Sequence, residues 1–417
     1  MPLREDQEEP GGLGNGDASI LETLPRSAWI EVDLRAIRRN LAAIRSVAGQ
    51  DVPVHPVVKA DAYGHGALPV ARELAAAGAD GFCVATIDEA VALRNGGIRA
   101  AILVLYPIPV SWVLTAATRG IAVTAGDPTL LAASLAVIAT GAGRRPLRIH
   151  LEVETGLGRG GFRGDAIVTA ARSIADQPGA RLDGLWTHLQ APEDRALTDH
   201  QMDAFDAEAM NLRAAGMRLP RRHVRASASL LSDDVASYDG VRPGLSIYGL
   251  VPDELAGGEL NPAARELAPA LSLHARPVRV AELEAGWGIS YGPTFRTGRA
   301  SRIATLPIGY GDGWSRALSN RAEALVRGHR VPLVGNVAMD AVMADVSDVP
   351  GPPITVHDRF VLIGSQERNT ITVGDVARAR GTNTWEVVTG MARRLPRVYH
   401  AASGPSVVRT LVSRGTG

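Results

Sequence analysis

VVKADAYGHG, residues 57–66, sets two β-branched residues before a lysine and a glycine-punctuated turn after it, the pattern of a short buried strand ending at Lys59. Lys59 is the only lysine: of 44 basic residues, the other 43 are arginine. A composition shifted this far towards arginine keeps a lysine where a guanidinium will not serve. Nucleophilic amine chemistry is such a case, because lysine can lose its proton and bond a carbonyl carbon whereas arginine stays charged.

Outward from this strand, short β-branched or apolar runs alternate with longer stretches of helical periodicity. The strand candidates are PVVKA near 56, GFCVAT at 81, AILVLY at 101, IAVTA at 121, LRIHLEVE at 147, LDGLWTHL at 182, HVRAS at 223 and VRPG at 241. Between them lie alanine- and leucine-rich segments that end in glycine, such as ALPVARELAAAGA and IDEAVALRNGG. Eight βα repeats predict an α/β fold, a (β/α)8 TIM barrel over 27–269, with Lys59 at the carboxyl end of its strand, where such barrels present reactive groups. From about Pro269 the texture changes to strand-like segments separated by Gly or Pro without long helices, which predicts a β-rich C-terminal domain over 270–417. PDELAGGELNPAARELAP, 252–269, reads as the linker. The early segment WIEVDL is a candidate partner for the second domain.

Length and composition bound the function. The chain has 417 residues, 46% of them apolar, enough for two domains. Its 44 acidic residues balance the basic ones, so nothing pulls it towards nucleic acid or an anionic membrane, and a small substrate fits better. Cys83 is the single cysteine, compatible with a reducing compartment, so the cytoplasm is expected. The start carries acidic residues and glycine where a signal peptide needs basic and apolar ones, so Met1–Arg26 is expected to be a disordered tail.

The decapeptide at 57 is similar to the cofactor-lysine motif of alanine racemases. Further segments resemble that family in the same order: HLEVETGLGRGGF at 150, LDGLWTHL at 182, VRPGLSIYGL at 241, SYGPTFRT at 290, LPIGYGDG at 306, VPLVGNVAMD at 331 and RLPRVYH at 394. The resemblance covers roughly residues 27–410 and implies a pyridoxal 5'-phosphate enzyme of the third fold type that supplies D-alanine for cell-wall precursors. It implies a cytoplasmic homodimer with shared active sites and no metal. An amino acid's α-proton is too weakly acidic to be removed at neutral pH, so an electron sink must spread the resulting charge, and this cofactor supplies one. Lys59 would hold it and, once freed by substrate, act as a base on one face.

Inversion needs a second base opposite. The resemblance gives that role to Tyr291, contributed by the other subunit, with His188 and Arg242 in a hydrogen-bond chain leading to it. It places Arg242 at the pyridine nitrogen, where a cation keeps that nitrogen unprotonated and favours return of the proton to the α-carbon. Ser227, Gly244 and Leu245 would cup the phosphate, with Tyr63 as a further contact. Arg159 is expected near the phenolic oxygen and the substrate carboxylate, and the Met339 backbone N–H would meet that carboxylate from the partner subunit.

Some positions depart from the family pattern. Glu152 stands where many members carry a lysine that becomes carbamylated, and is expected to supply a negative charge directly and orient Arg159. Ala226 replaces an asparagine, Trp385 a tyrosine that bonds the phosphate and borders the substrate pocket, and Ala338 a cysteine. Three other readings stand beside alanine racemisation. The first is a racemase of another small amino acid in a specialised pathway. The second is a barrel-type decarboxylase, against which Arg242 and the lack of any cysteine after Cys83 argue. The third is a non-catalytic cofactor-binding homologue.

Overall fold

The computed structural model describes residues 21–141, 145–232, 236–401 and 404–412. They form two compact units. One comprises Ala36–Ala270 with Asn383–Thr389, and the other the described residues up to Arg35, Leu271–Thr382 and those from Gly390 onward.

In the first unit, six parallel strands follow chain order: Gly81–Val84, Ala101–Val104, Ile121–Ala125, Leu147–Glu152, Ala180–Trp186 and Arg221–His223. The first and eighth staves are shorter. Val57 bridges Cys83, and Val54 bridges Val241, both in parallel, so the eight segments close on themselves. Proline explains the brevity. Pro53, Pro56 and Pro243 accept ladder bonds through their carbonyls from Val241, Cys83 and Val57 but have no N–H to return. Gly81–Val84 and Ile121–Ala125 are buried along their whole length, as strands covered on both faces must be. The helices around them bury one stripe each; in Asp165–Ala175 it is Ile167, Ala170, Ala171 and Ile174, spaced three and four apart. Asp127 and Asp194 start two of these helices by accepting from Leu130 N–H at 2.8 Å and Leu197 N–H at 3.0 Å.

The second unit is built on a long mixed sheet. Ala28–Asp33 runs parallel to Arg397–Ala401 on one side and antiparallel to Leu271–Ala275 on the other. The sheet continues through Phe360–Gln366, Glu323–Val326, His329–Val334, Val342–Asp345 and Ser301–Leu306 to Arg279–Leu283, all antiparallel. WIEVDL therefore does join the β-rich unit.

Three boundaries differ from a simple reading along the chain. Ala28–Asp33 belongs with the β unit and 383–389 with the barrel unit, because strand pairing and packing join segments that sequence order separates. The expected linker is anchored on the barrel: the Asn40 amide donates to Ala268 O at 2.9 Å and accepts from Ala268 N–H at 2.9 Å. Of the expected tail, residues 1–20 lie outside the described residues, but Leu21–Arg26 is packed. Leu21 is buried against Trp29 and Val398, and the Arg26 guanidinium donates to both carboxylate oxygens of Asp312, at 2.6 and 3.1 Å. The glycine-rich composition that signals disorder stops short of Leu21 and Leu24, the apolar residues that pack here.

Candidate active site

Lys59, Tyr63, Arg159, His188, Ser227, Arg242, Gly244, Leu245, Ala226 and Trp385 all line one cavity of about 620 Å³ within the barrel unit. Ala60, Asp61, Ala62 and Tyr63, just after Lys59, all have φ between 51° and 56°. Left-handed geometry costs non-glycine residues about 1–2 kcal/mol each, so the surroundings must over-determine this turn. They do. The Glu89 carboxylate accepts from Ala60 N–H at 2.6 Å and from Ala85 N–H at 2.9 Å, and Asp61 Oδ1 accepts from Ala67 N–H at 2.9 Å. Burial, and then the Arg159 cation, pull the Lys59 pKa below its ordinary value, against the opposing pull of Glu89 and Cys83. The amine is thereby moved towards the neutral, nucleophilic form.

At the far end of the turn Tyr63 is buried, and burial pushes its phenol up, which keeps the O–H a donor. A Cβ at position 244 would lie 2.7 Å from that hydroxyl oxygen, so any side chain there would displace the Tyr63 phenol. Gly244 N–H, at 2.8 Å, and Ser246 N–H, at 3.2 Å, converge on Ser227 Oγ. Tyr63, Ser227 and Gly244 thus gather hydroxyl and N–H groups at one place: a donor set suited to a phosphate.

Arg242 is fixed on four sides. Its Nη1 donates to His223 Nδ1 at 2.5 Å and His223 O at 2.7 Å, and its Nη2 donates to Thr187 O at 2.8 Å and Val224 O at 3.1 Å. A guanidinium cannot accept, so His223 Nδ1 must, which leaves the proton on Nε2 to be donated to His150 Nδ1 at 2.8 Å. The direct bond of Arg242 is therefore to His223. His188 lines the cavity, and among the described residues its ring has no hydrogen bond within the chain; burial, then the Arg242, Arg159 and Lys59 cations, hold its pKa down to about 3. Burial lowers Arg242 to about 10, still charged at neutral pH.

Burial also lowers His150 to about 3 and His223 well below 6.5. Each folded value lies under the unfolded one, so the unfolded chain takes up protons first. The stability contributed by these neutral rings is whole above pH 6.5 and drains as pH falls towards 3. Denaturant unfolding between pH 6.5 and 5, above the carboxylate range, should lose about 1 kcal/mol per pH unit for each such histidine, the slope steepening as pH falls. Stability constant across that window would contradict the neutral ladder.

Arg159 Nη2 donates to Glu152 Oε1 at 2.8 Å, and the Glu152 side chain is only 7% exposed. The Trp186 ring lies under both arginine cations, 5.7 Å from Arg159 and 4.8 Å from Arg242, and Tyr106 meets Arg159 at 5.3 Å. Trp186, Tyr106, Glu89, His150 and His223 were missed as candidates. A signal existed for one strand: Arg148, His150 and Glu152 alternate along Leu147–Glu152, and in a strand covered on both faces such polar residues share the inward side.

Tyr291 and Met339 are elsewhere. They line a second cavity of about 990 Å³ in the β unit, with Trp287, Tyr310 and Ala338, and they are 77% and 53% exposed. This face therefore presents a phenol and a loop outward, while the barrel cavity contains Lys59.

Sequence models of the alanine racemase N-terminal domain and C-terminal domain match residues 32–252 and 270–399. The chain belongs to the alanine racemase family. Alanine racemase from Symbiobacterium thermophilum is 40% identical over 379 residues, 90% of this chain and 97% of that one. Alanine racemase from Sorangium cellulosum is 38% identical over 388 residues, 90% and 99% of the two chains. The crystal structure of alanine racemase from Bacillus anthracis with bound L-Ala-P superposes with a TM-score of 0.84 at 33% identity, covering 92% of this chain and 98% of that one. Alanine racemase from D-cycloserine-producing Streptomyces lavendulae gives 0.82 at 32%, covering 91% and 98%. As expected, the family architecture is a barrel of parallel strands followed by a β-rich domain.

Proposed function

We propose that this isomerase binds pyridoxal 5'-phosphate through Lys59 and interconverts L- and D-alanine by a two-base mechanism in a homodimer. The observation that carries the proposal is the sole lysine, its pKa depressed, in a cavity with Arg159 and Arg242 in a member of this family. The cofactor, when bound, supplies the electron sink that makes the substrate's α-hydrogen removable. Tyr63, Ser227, Gly244 and Leu245 would hold its phosphate. Arg242, charged and fixed on four sides, would supply a cation at the ring nitrogen, which would keep that nitrogen without a proton and favour return of the hydrogen to the α-carbon.

The Lys59 amine takes or returns the α-proton on one face. The Tyr291 phenol of a second copy does so on the other, with His188, whose ring is unbonded within the chain among the described residues, as its neighbour. Arg159, oriented by Glu152, receives the substrate carboxylate, and the Met339 N–H of the second copy shares it. Glu152→Gln removes the charge that orients Arg159, and its expected effect is a rise of about tenfold in KM for alanine; unchanged KM and kcat would contradict the role. Trp385 and Ala226 border the same cavity, which supports a second reading, a racemase for a small amino acid other than alanine. A reducing cytoplasm suits a buried, free Cys83, and among the described residues no helix is long and apolar enough to cross a membrane.

Incubation with a panel of L- and D-amino acids in deuterated water tests the function. Inversion with α-hydrogen exchange, fastest for alanine, is expected. Exchange without inversion would remove one base from the account, and neither would overturn it.

A further inference from the structure

Asp312 lies in the LPIGYGDG segment of the β unit, its side chain fully buried. Two arginines neutralise it: Arg26, bonded to both oxygens, and Arg394, whose Nε donates to Oδ1 at 2.7 Å. Arg394 then reaches forward, donating from Nη2 to Asp340 Oδ1 at 2.7 Å and leaning towards Met339 O at 3.5 Å. The same segment grips the turn at 338–340 through its backbone. Tyr310 N–H donates to Ala338 O at 3.0 Å, and Gly311 N–H to Met339 O at 2.9 Å.

A trans peptide directs its C=O and N–H to opposite sides, and no peptide among the described residues is cis. With the Ala338 and Met339 carbonyls both drawn inward, the N–H groups of Met339 and Asp340 are directed away from the segment. Among the described residues, neither has a hydrogen-bond partner within the chain. Position 309 tolerates only glycine: a Cβ there would meet Ala338 O at 2.1 Å and Met339 O at 2.5 Å. Asp340, next to this outward pair, would repel an anion, and Arg394 cancels its charge.

We propose that Arg394 and Asp312, braced by Arg26, are positioning residues that hold the 338–340 turn so that two adjacent N–H groups, those of Met339 and Asp340, receive the substrate carboxylate. The inference rests on the proposed site shared between two copies, and it adds a second donor and the device that aims both. It also gives Arg26 a function at a distance of 286 positions in sequence.

The test uses the full-length, cofactor-loaded protein. Propionate, a carboxylate without an amino group, is titrated calorimetrically, and alanine kinetics are measured alongside. Arg394→Ala and Gly309→Ala, the latter moving the carbonyls with every charge intact, should each raise the propionate Kd and the alanine KM about tenfold. Their kcat should change by less than about threefold, and borohydride labelling of Lys59 should be unaltered. Arg394→Lys should recover part of the loss. Where Gly309→Ala lowers Tm too far to measure, Arg26→Ala, which removes one leg of the brace, should raise KM about threefold. Variants matching the parent in Kd and KM would overturn the inference. A parent protein that is not labelled at Lys59 would instead defeat the function on which it rests.

Discussion

Lys59→Arg is expected to lower kcat about ten-thousandfold, the upper end of what one acid–base group contributes, and to abolish borohydride-stable labelling at residue 59. The substitution keeps a long cationic side chain, so packing changes little, but a guanidinium does not give up its proton to become a nucleophile. No other lysine exists to take over. The environment sharpens the contrast: burial and the Arg159 cation depress the amine at position 59, a push that yields a reactive neutral amine from lysine and only a crowded charge from arginine. Activity within tenfold of the parent, by polarimetry or coupled assay, would show that the amine is not essential.

Tyr291→Phe is expected to separate two readouts that are joined in the parent protein. Inversion should fall about 10²- to 10⁴-fold, while α-hydrogen exchange into one enantiomer continues through the amine on the other face. Stability should stay within about 0.5 kcal/mol, because the residue is 77% exposed and supports no core. A fall in inversion could not then be blamed on unfolding. Inversion at the parental rate would take the phenol out of the chemistry.

The order of the barrel strands was legible because strands covered on both faces must be continuously apolar, as GFCV and IAVTA are, while their helices carry a stripe. The first and last staves were legible as segments but not as the single bridges that they are, since the prolines that shorten them act on hydrogen bonding rather than on hydrophobicity. Lys59 could be found because its residue type is unique in the chain. Arg242 could be found, but not the partner that fixes it: the path from Arg242 through His223 to His150 joins three strands, and no local pattern encodes that closure. The left-handed turn after Lys59 was hidden for a related reason. Ala60–Tyr63 contains no glycine, and what holds it from outside is Glu89, on the helix Ile87–Asn95 that follows the next strand. Arg26 was read as tail because composition describes a neighbourhood, whereas its partner is a buried carboxylate in the other half of the chain.

The most direct test of the shared site mixes two inactive proteins. Lys59→Arg and Tyr291→Phe are unfolded together and refolded, or co-expressed with different tags and isolated as the mixed dimer. If Lys59 and Tyr291 of different copies meet, each mixed dimer holds one site with both residues intact, and random mixing should restore about a quarter of the parental sites. If the two residues served a site within one chain, every site would carry one lesion, and the mixture would stay as inactive as its components.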